Sequence, residues 1–275
     1  MVRSKVSSML IGVDTGGTFT DFVVVTENGL VIHKQPSTPE DPSLAVSAGL
    51  AHLEAVTGVS LVHGSTVATN ALLERRGART VLITTSGFED VLEIGRQTRP
   101  EIYDLNVTRP APLVPAERRL GVTERIGPDG SVLLPLTREA IEEVVVTLGS
   151  LDADSVAVCL LHSYANEEHE AAILEALKGH FQGFCTASYE ILPEFREFER
   201  CSTTAVNAYV GPVMAGYLGR LSDQLATEEV RIMQSNGGTI SLDTAIEHAV
   251  QTFCPVPLVV SLVDLKSAHV VDSKM

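Results

Sequence analysis

The segment DTGGTFTD, Asp14–Asp21, places two aspartates, three threonines and a glycine pair between two apolar runs. Gly16 and Gly17 predict a turn with φ values that other residues resist, which lets backbone N–H groups approach a ligand closely. The hydroxyl groups of Thr18 and Thr20 stand beside those amides. Such a concave set of donors is typical of a nest that binds phosphate oxygens.

The two aspartates indicate a metal function beside this turn. Asp14 stands at the end of a predicted strand, where we expect it to face the same pocket and hold Mg²⁺ through water, and Asp21 is expected across the hairpin. The alternative is that Gly-Gly-Thr forms a plain tight turn and that the aspartates are turn formers. The segment is neither a Walker loop, since no G-K-[ST] follows, nor a dinucleotide fingerprint, since no G-x-G-x-x-G opens a helix.

A second polar cluster, His63–Asn70, lies where a predicted strand runs into a helix. Ser65, Thr66 and Asn70 predict a ligand-facing rim, because the N-terminus of a helix favours an anion. His63 has two interpretations. It is either a general base or donor to a substrate carbonyl, or a side chain that hydrogen-bonds within the junction.

Three further segments give weaker indications of a binding function. Arg96 and Arg99 stand in a polar cluster before Pro100 that either binds an anionic or amide substrate or only solvates a loop. His169 lies at a charged helix start, where we expect exposure to solvent rather than metal binding. Met233–Gly238 reads as a strand that ends in a glycine turn. The sequence shows no His or carboxylate set with recognisable metal-ligand spacing.

The order of the elements predicts an α/β fold. Up to Thr80–Thr84 the apolar runs and helix signals predict the order β-β-β-α-β-α-β, which is that of a ribonuclease-H-like half-domain with a mixed sheet. A Pro-rich region with one hairpin follows over residues 100–135, and then a second α/β stretch begins. One or two long helices are expected over Glu197–Leu225, interrupted at Gly211-Pro212.

The composition excludes several classes of function. A hydrophobic fraction of 44% and a charged fraction of 20% are typical of a soluble globular protein. The formal net charge of −15 disfavours nucleic acid as a partner, since backbone phosphates are bound by clustered Lys and Arg. The four cysteines stand far apart and predict reduced, mostly buried thiols. We see neither a leader nor a membrane-spanning run, and therefore expect a cytoplasmic protein with no membrane partner.

Four blocks of the sequence closely resemble the hydantoinase A/5-oxoprolinase family, which also includes the β-type subunits of acetone and acetophenone carboxylases. The blocks are IGVDTGGTFTDFVV, HGSTVATNALLERRGARTVLITTSGFEDVLEIGRQTRP, PEFREFERCSTTAVNAYVGPVM and IMQSNGG. They follow the family's order over about residues 10–252, and several are long and specific.

The resemblance implies an actin/Hsp70/sugar-kinase-like ATPase fold, in which two ribonuclease-H-like lobes clasp ATP and Mg²⁺, with Mn²⁺ as an alternative metal. The first hairpin is then the first phosphate loop, which assigns ATP binding to Asp14, Thr15, Gly16, Gly17, Thr18 and Thr20. Asp14 is expected to hold the metal through water. The candidate catalytic residues are Asp14, Asp21 and His63. The candidate substrate-binding residues are His63, Ser65, Thr66, Asn70, Arg96 and Arg99.

The activity that the resemblance implies is ATP-dependent opening of a cyclic amide, such as a hydantoin, 5-oxoproline or a related lactam. Phosphoryl transfer to the amide oxygen supplies the leaving group that an unstrained lactam lacks, and its catalysis is mainly positioning and charge neutralisation. A ketone is the alternative substrate, since the carboxylase branch shares the same blocks. The family also implies a hydantoinase-B-type partner subunit, and a homo-oligomer is a further option.

The resemblance predicts three regions: a hydantoinase/oxoprolinase N-terminal domain at 1–195, the beginning of the second domain at 196–252 and a divergent tail at 253–275. After Gly238 the family continues into a second phosphate loop of the type S-G-P-A-G-G, which this sequence lacks. We therefore expect the first lobe plus the start of the second, and little ATP-dependent hydrolysis from this chain alone. The alternatives are a truncated, non-catalytic paralogue and the ATP-binding subunit of a ketone carboxylase.

Overall fold

The computed structural model of the chain describes residues 9–26, 29–53, 59–98, 103, 110–225 and 229–253. Their contacts group into two compact units, which are described separately. Unit A comprises the described residues up to Arg76 and from Val213 onwards, and unit B comprises Gly77–Pro212. The domain borders expected near residues 195 and 252 remain predictions. The two units group residues that contact each other in space, whereas the predicted borders divide the sequence between two family domains. The tail at 254–275 lies outside the described residues.

Both units contain strands and helices, so the predicted α/β class is confirmed. The strands are β1 (Met9–Thr15), β2 (Phe19–Thr26), β3 (Gly29–Pro36), β4 (Val59–Ser65), β5 (Thr80–Thr85), β6 (Arg119–Val122), β7 (Arg125–Ile126), β8 (Val132–Leu134), β9 (Ser155–Cys159), β10 (Phe184–Ala187), β11 (Glu229–Met233) and β12 (Thr239–Ser241). The α-helices are α1 (Pro42–His52), α2 (Val67–Leu73), α3 (Val91–Ile94), α4 (Arg138–Ser150), α5 (Glu168–Lys178), α6 (Ser188–Ile191), α7 (Glu197–Gln224) and α8 (Leu242–Glu247).

Unit A contains a six-stranded mixed sheet in the order β12-β11-β4-β1-β2-β3. Strands β1, β4 and β11 are parallel, whereas β2 is antiparallel to both of its neighbours. This arrangement confirms the ribonuclease-H-like sheet, but one strand comes from elsewhere in the chain. The predicted strand Thr80–Thr84 was expected to complete this sheet, and that expectation is wrong, because β5 pairs with β6 and β9 in unit B. The position beside β4 belongs to β11.

Helix α1 packs closely on the sheet of unit A. The carboxylate of Asp41 caps its start by accepting a hydrogen bond from the backbone N–H of Ser43, and Pro42 occupies the first helical position. A Cβ atom added at Gly49 would lie 2.1 Å from the Phe22 ring. Glycine is therefore required where the helix meets β2.

Unit B is built on a parallel sheet in the order β10-β9-β5-β6, with the small hairpin β7-β8 beside it. One face of the sheet packs against α4 and α5 through a cluster that includes Val156, Val158 and Ile173. Helix α4 has an N-cap, since the Thr137 hydroxyl accepts a hydrogen bond from the Ala140 N–H. The hairpin around Pro128–Gly130 is confirmed.

Two local predictions are wrong. Helix α7 runs without a break through Pro212, because buried side chains on both sides of the proline, such as Ala208 and Met214, hold the helix in place. His169 is buried rather than exposed: its Nδ1–H donates to the Glu124 carboxylate at 2.7 Å. A charged sequence pattern misses such a pair, since the two residues meet only in the folded chain.

Two further expectations concern cysteines and membranes. Cys159 and Cys201 are buried free thiols and Cys185 is partly buried, in agreement with the prediction of reduced core residues, while Cys254 lies outside the described residues. Among the helices of the described chain, none combines the length and the apolar character that a membrane-spanning segment needs.

Candidate functional site

The polar motifs of unit A meet at one edge of its sheet. Strands β1, β4 and β11 are parallel neighbours, with Thr15 level with Ser65 and His63 level with Ile232. Their carboxyl ends therefore lie side by side, and each runs into one of the motifs found in the sequence. Ligands of open α/β sheets bind at the carboxyl ends of the strands. This edge is consequently the candidate functional site.

The loop between β1 and β2 is held from within and by Ser37. The Gly16 N–H donates to the Phe19 carbonyl at 3.0 Å. Ser37 lies directly after β3, and its hydroxyl donates to the Gly16 carbonyl at 2.8 Å while its N–H donates to the Thr18 carbonyl at 2.9 Å. Within the described part of the chain, the N–H groups of Gly17 and Thr18 have no hydrogen-bond partner, and both residues are exposed.

Gly16 and Gly17 do not have the backbone conformation that the sequence indicated. Neither Gly16 nor Gly17 has a positive φ, so the prediction of an unusual backbone conformation is wrong. A Cβ atom added at Gly17 would meet nothing within 4 Å. The space beside Gly17 is therefore open, and the two free amides lie on an exposed part of the loop.

Asp14 and Asp21 lie opposite each other on β1 and β2, as predicted. Because successive residues of a strand point to opposite faces, Asp14 and Thr15 lie on opposite faces of β1 at the carboxyl edge of the sheet. That Asp14 faces the pocket of the loop remains a prediction. Burial raises the pKa of Asp14, and the nearby charge of Asp21 raises it further. Asp21 itself pairs with Lys34 at 3.0 Å.

The two carboxylates allow a test of the implied metal. No group of three or more metal-ligating side chains occurs in the described residues. Mg²⁺ needs only one or two protein carboxylates, since it keeps several waters and binds phosphate oxygens. Asp14 and Asp21 lie opposite each other on one sheet face, and among the described residues the partly buried Asp14 carboxylate has no hydrogen-bond or ion-pair partner. The residues therefore fit a water-mediated Mg²⁺ held by Asp14.

His63 hydrogen-bonds to helix α7 rather than within the junction itself. Its side chain is fully buried, and its Nε2 lies 2.6 Å from the hydroxyl of Tyr217 on helix α7. Burial lowers the pKa of His63 to about 4, so the ring is neutral near pH 7. The same Tyr217 hydroxyl interacts with the side chain of Ser65, while burial raises the pKa of this tyrosine. His63 does not line the open pocket beside the loop.

The remaining residues of the β4–α2 junction connect it to the first loop. Both the N–H and the hydroxyl of Thr66 lie 3.3 Å from the Thr15 carbonyl. The Asn70 amide donates to the Thr66 hydroxyl at 3.3 Å, and Ser65 accepts from the Val67 N–H. Because α2 has only seven residues, its dipole is a small contribution to anion binding. The hydrogen bonds of this junction therefore indicate that it positions the loop between β1 and β2, more clearly than that it binds an anion.

A pocket of about 350 Å³ opens beside the loop in unit A. Its lining includes parts of the loop between β1 and β2, of the β4–α2 junction and of the second half of α7. Among these lining residues are Thr15, Gly16, Gly17, Thr66, Asn70 and Tyr217. Its charged lining residues are Glu40, Glu74, Arg76 and Arg220.

Neither of the two arginines predicted to contact substrate, Arg96 and Arg99, is among the described residues that line this pocket. Arg96 belongs to unit B, where its Nε donates to the Glu199 carboxylate at 2.6 Å, and Arg99 lies outside the described residues. Three residues of the site were missed from the sequence: Ser37, Tyr217 and Arg220. The spacing of Tyr217 and Arg220 places them on one helix face, but no local pattern shows that this face meets the loop.

The comparisons with known proteins agree with the motifs. The sequence models described as the hydantoinase/oxoprolinase N-terminal region and hydantoinase/oxoprolinase match residues 10–181 and 200–258. Caprolactamase subunit alpha of Pseudomonas jessenii is 35% identical over 83% of this chain and 35% of its own length. The acetophenone carboxylase gamma subunit of Aromatoleum aromaticum is 34% identical over 78% of this chain and 33% of its own length.

A solved structure agrees as well. The crystal structure of ATP-dependent caprolactamase from Pseudomonas jessenii superposes with a TM-score of 0.80 at 33% identity, over 90% of this chain and 39% of that chain. The present chain thus spans about a third of the length of the curated relatives it matches. The sequence motifs, the fold and the extent of the first family match together place this chain in the hydantoinase/oxoprolinase family.

Proposed function

We propose that this chain carries the first phosphate-binding site of an ATP-dependent enzyme that opens a cyclic amide. The observation that carries the proposal is the meeting of three polar motifs at adjacent carboxyl strand ends, with two free backbone N–H groups at Gly17 and Thr18. Free amides beside an open glycine suit phosphate oxygens. The likeness to an ATP-dependent caprolactamase supports ATP as the phosphate source and a lactam as the substrate class.

The proposed roles follow from the positions of the residues. Gly17 and Thr18 donate their N–H groups to phosphate, while Ser37 and Thr66 hold the loop in shape. Asp14 would hold Mg²⁺ through water, and the metal would neutralise phosphate charge there when bound. Transfer of a phosphoryl group from ATP to the amide oxygen, with ADP leaving, would activate the carbonyl carbon for attack by water. The ring would open when the C–N bond of the adduct breaks and the nitrogen leaves as the amine, and a second water would release phosphate from the resulting acyl phosphate.

His63 and Asp21 keep narrower roles in this proposal. His63 is buried against Tyr217, so we assign it to positioning of β4 and α7 rather than to direct proton transfer. Asp21 is paired with Lys34 and is assigned to the electrostatic surroundings of Asp14. The substrate contacts proposed for Ser65, Thr66, Asn70 and Arg96 remain untested proposals, as does a hydantoinase-B-type partner.

A ketone-carboxylase subunit is the second candidate function. The likeness to the acetophenone carboxylase gamma subunit, at nearly the same identity as the caprolactamase subunit, favours keeping it. Both candidates use the same phosphate site. A panel of lactams and ketones, offered with ATP and bicarbonate to this chain combined with a hydantoinase-B-type subunit, separates them by the substrate that stimulates ADP release.

The phosphate site is tested by calorimetry with the full 275-residue chain. We expect MgATP to bind the unaltered protein and to bind Asp14→Asn more weakly, because Asn keeps the shape of Asp and removes the charge that holds the metal. Without Mg²⁺, the two proteins should bind ATP alike. Glu142→Gln on the exposed surface of α4 is the matched control for loss of one carboxylate.

Two results would count against the proposal. Absence of MgATP binding by the unaltered chain would remove the phosphate site altogether. Equal binding of MgATP by Asp14→Asn and the unaltered protein would leave the loop as a phosphate site but would remove Asp14 from metal binding. Melting curves of both variants by circular dichroism check that the fold is retained.

A further inference from the structure

Helix α7 brings an arginine into the pocket beside the phosphate loop. Arg220 lies one helical turn after Tyr217, so both side chains emerge on the same face of the helix. Tyr217 is fixed by its 2.6 Å hydrogen bond to His63. Both residues line the 350 Å³ pocket together with Gly16 and Gly17. The anchored tyrosine therefore determines where Arg220 stands relative to the loop.

The guanidinium of Arg220 is only loosely engaged. Its Nε lies 3.3 Å from Oδ2 of Asp41, and about half of its side chain is exposed. For its two Nη atoms, the described residues offer no hydrogen-bond partner. Asp41 has a separate structural role, since its Oδ1 accepts from the N–H of Ser43 at 3.2 Å and from the Ser43 hydroxyl at 2.6 Å. Asp41 therefore caps α1 whether or not Arg220 is paired with it.

Arg220 and Arg76 are the two cations among the described residues that line the pocket, and they differ in their ion pairs. Partial burial alone would raise the pKa of Asp41, but the hydrogen bonds from Ser43 and the charge of Arg220 hold it below its usual value. Arg76 is the other cation of the pocket lining, and it pairs with Glu74 at 3.2 Å on an exposed surface. Arg220 therefore presents two Nη groups without partners among the described residues to the pocket that Gly17 also lines, and a bound oligophosphate carries several negative charges.

We propose that Arg220 binds phosphate oxygens of the nucleotide at the Gly16–Thr18 loop, and that it leaves Asp41 when it does so. An arginine suits this task, because its planar fork of donors matches phosphate oxygens and its charge persists at any physiological pH. Asp41 keeps the guanidinium at the pocket while phosphate is absent. The inference rests on the proposed function and adds a residue that no sequence motif of the phosphate loop contains.

The test is calorimetric titration of the full chain with inorganic tripolyphosphate and Mg²⁺, a probe that lacks the nucleoside. We expect Arg220→Gln to bind about tenfold more weakly, the scale of a charge-assisted hydrogen bond, and Arg220→Lys to restore only part of the loss. Arg138→Gln is the matched control, because Arg138 forms an exposed ion pair on α4 in unit B. It should bind like the unaltered protein.

A second variant tests the exchange of partners. Asp41→Asn keeps an N-cap residue for α1 while removing the carboxylate that competes for Arg220. We expect its tripolyphosphate affinity to rise about threefold, the scale of an exposed ion pair. In the double variant with Arg220→Gln this gain should vanish, because there is no longer an arginine to release.

The outcomes separate this inference from the proposed function. Equal affinities for Arg220→Gln and the unaltered chain would overturn the inference while leaving the phosphate site intact. Equal weakening by Arg138→Gln would also overturn it, since the effect would then be general loss of charge. A gain for Asp41→Asn that persists without Arg220 would refute the exchange of partners. Absence of binding by the unaltered chain would defeat both proposals.

Discussion

The buried pair of His63 and Tyr217 predicts a specific dependence of stability on pH. His63 has an ordinary pKa of 6.5 and a pKa of about 4 in the folded chain, because burial disfavours the charged ring. Above pH 6.5 both the folded and the unfolded states are neutral at this residue. As the pH falls from 6.5 towards 4, the unfolded chain takes up a proton that the folded chain resists, so folding stability is lost over that window.

The size of this loss follows from the shift. A difference of that size in pKa corresponds to about 3 kcal/mol of unfolding free energy, reached near and below pH 4. The assay is urea denaturation followed by far-ultraviolet circular dichroism at a series of pH values. His63→Gln cannot titrate, and its difference in stability from the unaltered chain should therefore change by about 3 kcal/mol across the window.

Two further variants test whether the effect is specific to the buried pair of His63 and Tyr217. His180→Gln removes a histidine from the exposed surface of unit B and should leave the pH dependence as it is. Tyr217→Phe leaves the His63 nitrogen unpaired in the core and should cost about 1–3 kcal/mol even above pH 6.5. The reasoning is refuted if His63→Gln follows the same pH dependence as the unaltered chain.

Two other predictions concern packing and capping, and both are checked by thermal denaturation. Gly49→Ala should destabilise unit A by about 1–3 kcal/mol, because the new Cβ atom would lie 2.1 Å from the Phe22 ring, whereas Gly149→Ala on the open surface of α4 should be neutral or slightly stabilising. An unchanged melting temperature for Gly49→Ala would show that α1 can move away from β2. Thr137→Ala should cost about 1 kcal/mol by removing the N-cap of α4, and Thr137→Ser should recover most of it, so equal losses in the two variants would contradict the cap.

Local patterns were sufficient to predict most of the elements and the loop at Gly16–Thr18. The hairpin around Gly16–Thr18 follows from two apolar runs and a turn, and the cap at Thr137 follows from one residue type before a helix. The polar motifs at strand ends were also visible in the sequence. Their meeting at one sheet edge required only that the strands be parallel neighbours.

The remaining features depend on contacts between distant segments. Thr80–Thr85 and Glu229–Met233 are both short segments with strand character, and only strand pairing decides that the second one completes the sheet of unit A. Tyr217 and Arg220 reach the site because α7 packs against β4, which no local periodicity encodes. The burial of His169 likewise depends on Glu124, far from it in sequence.

The central claim is that the open backbone at Gly17 receives phosphate. Its most direct test is calorimetry of MgATP and magnesium tripolyphosphate with Gly17→Asp, which places a carboxylate where the oxygens are proposed to bind. Gly149→Asp is the matched control, since a Cβ atom there also meets nothing within 4 Å. The account predicts binding by the unaltered chain and by Gly149→Asp and loss of binding in Gly17→Asp. Equal binding by all three proteins, or no binding by the unaltered chain, would contradict it.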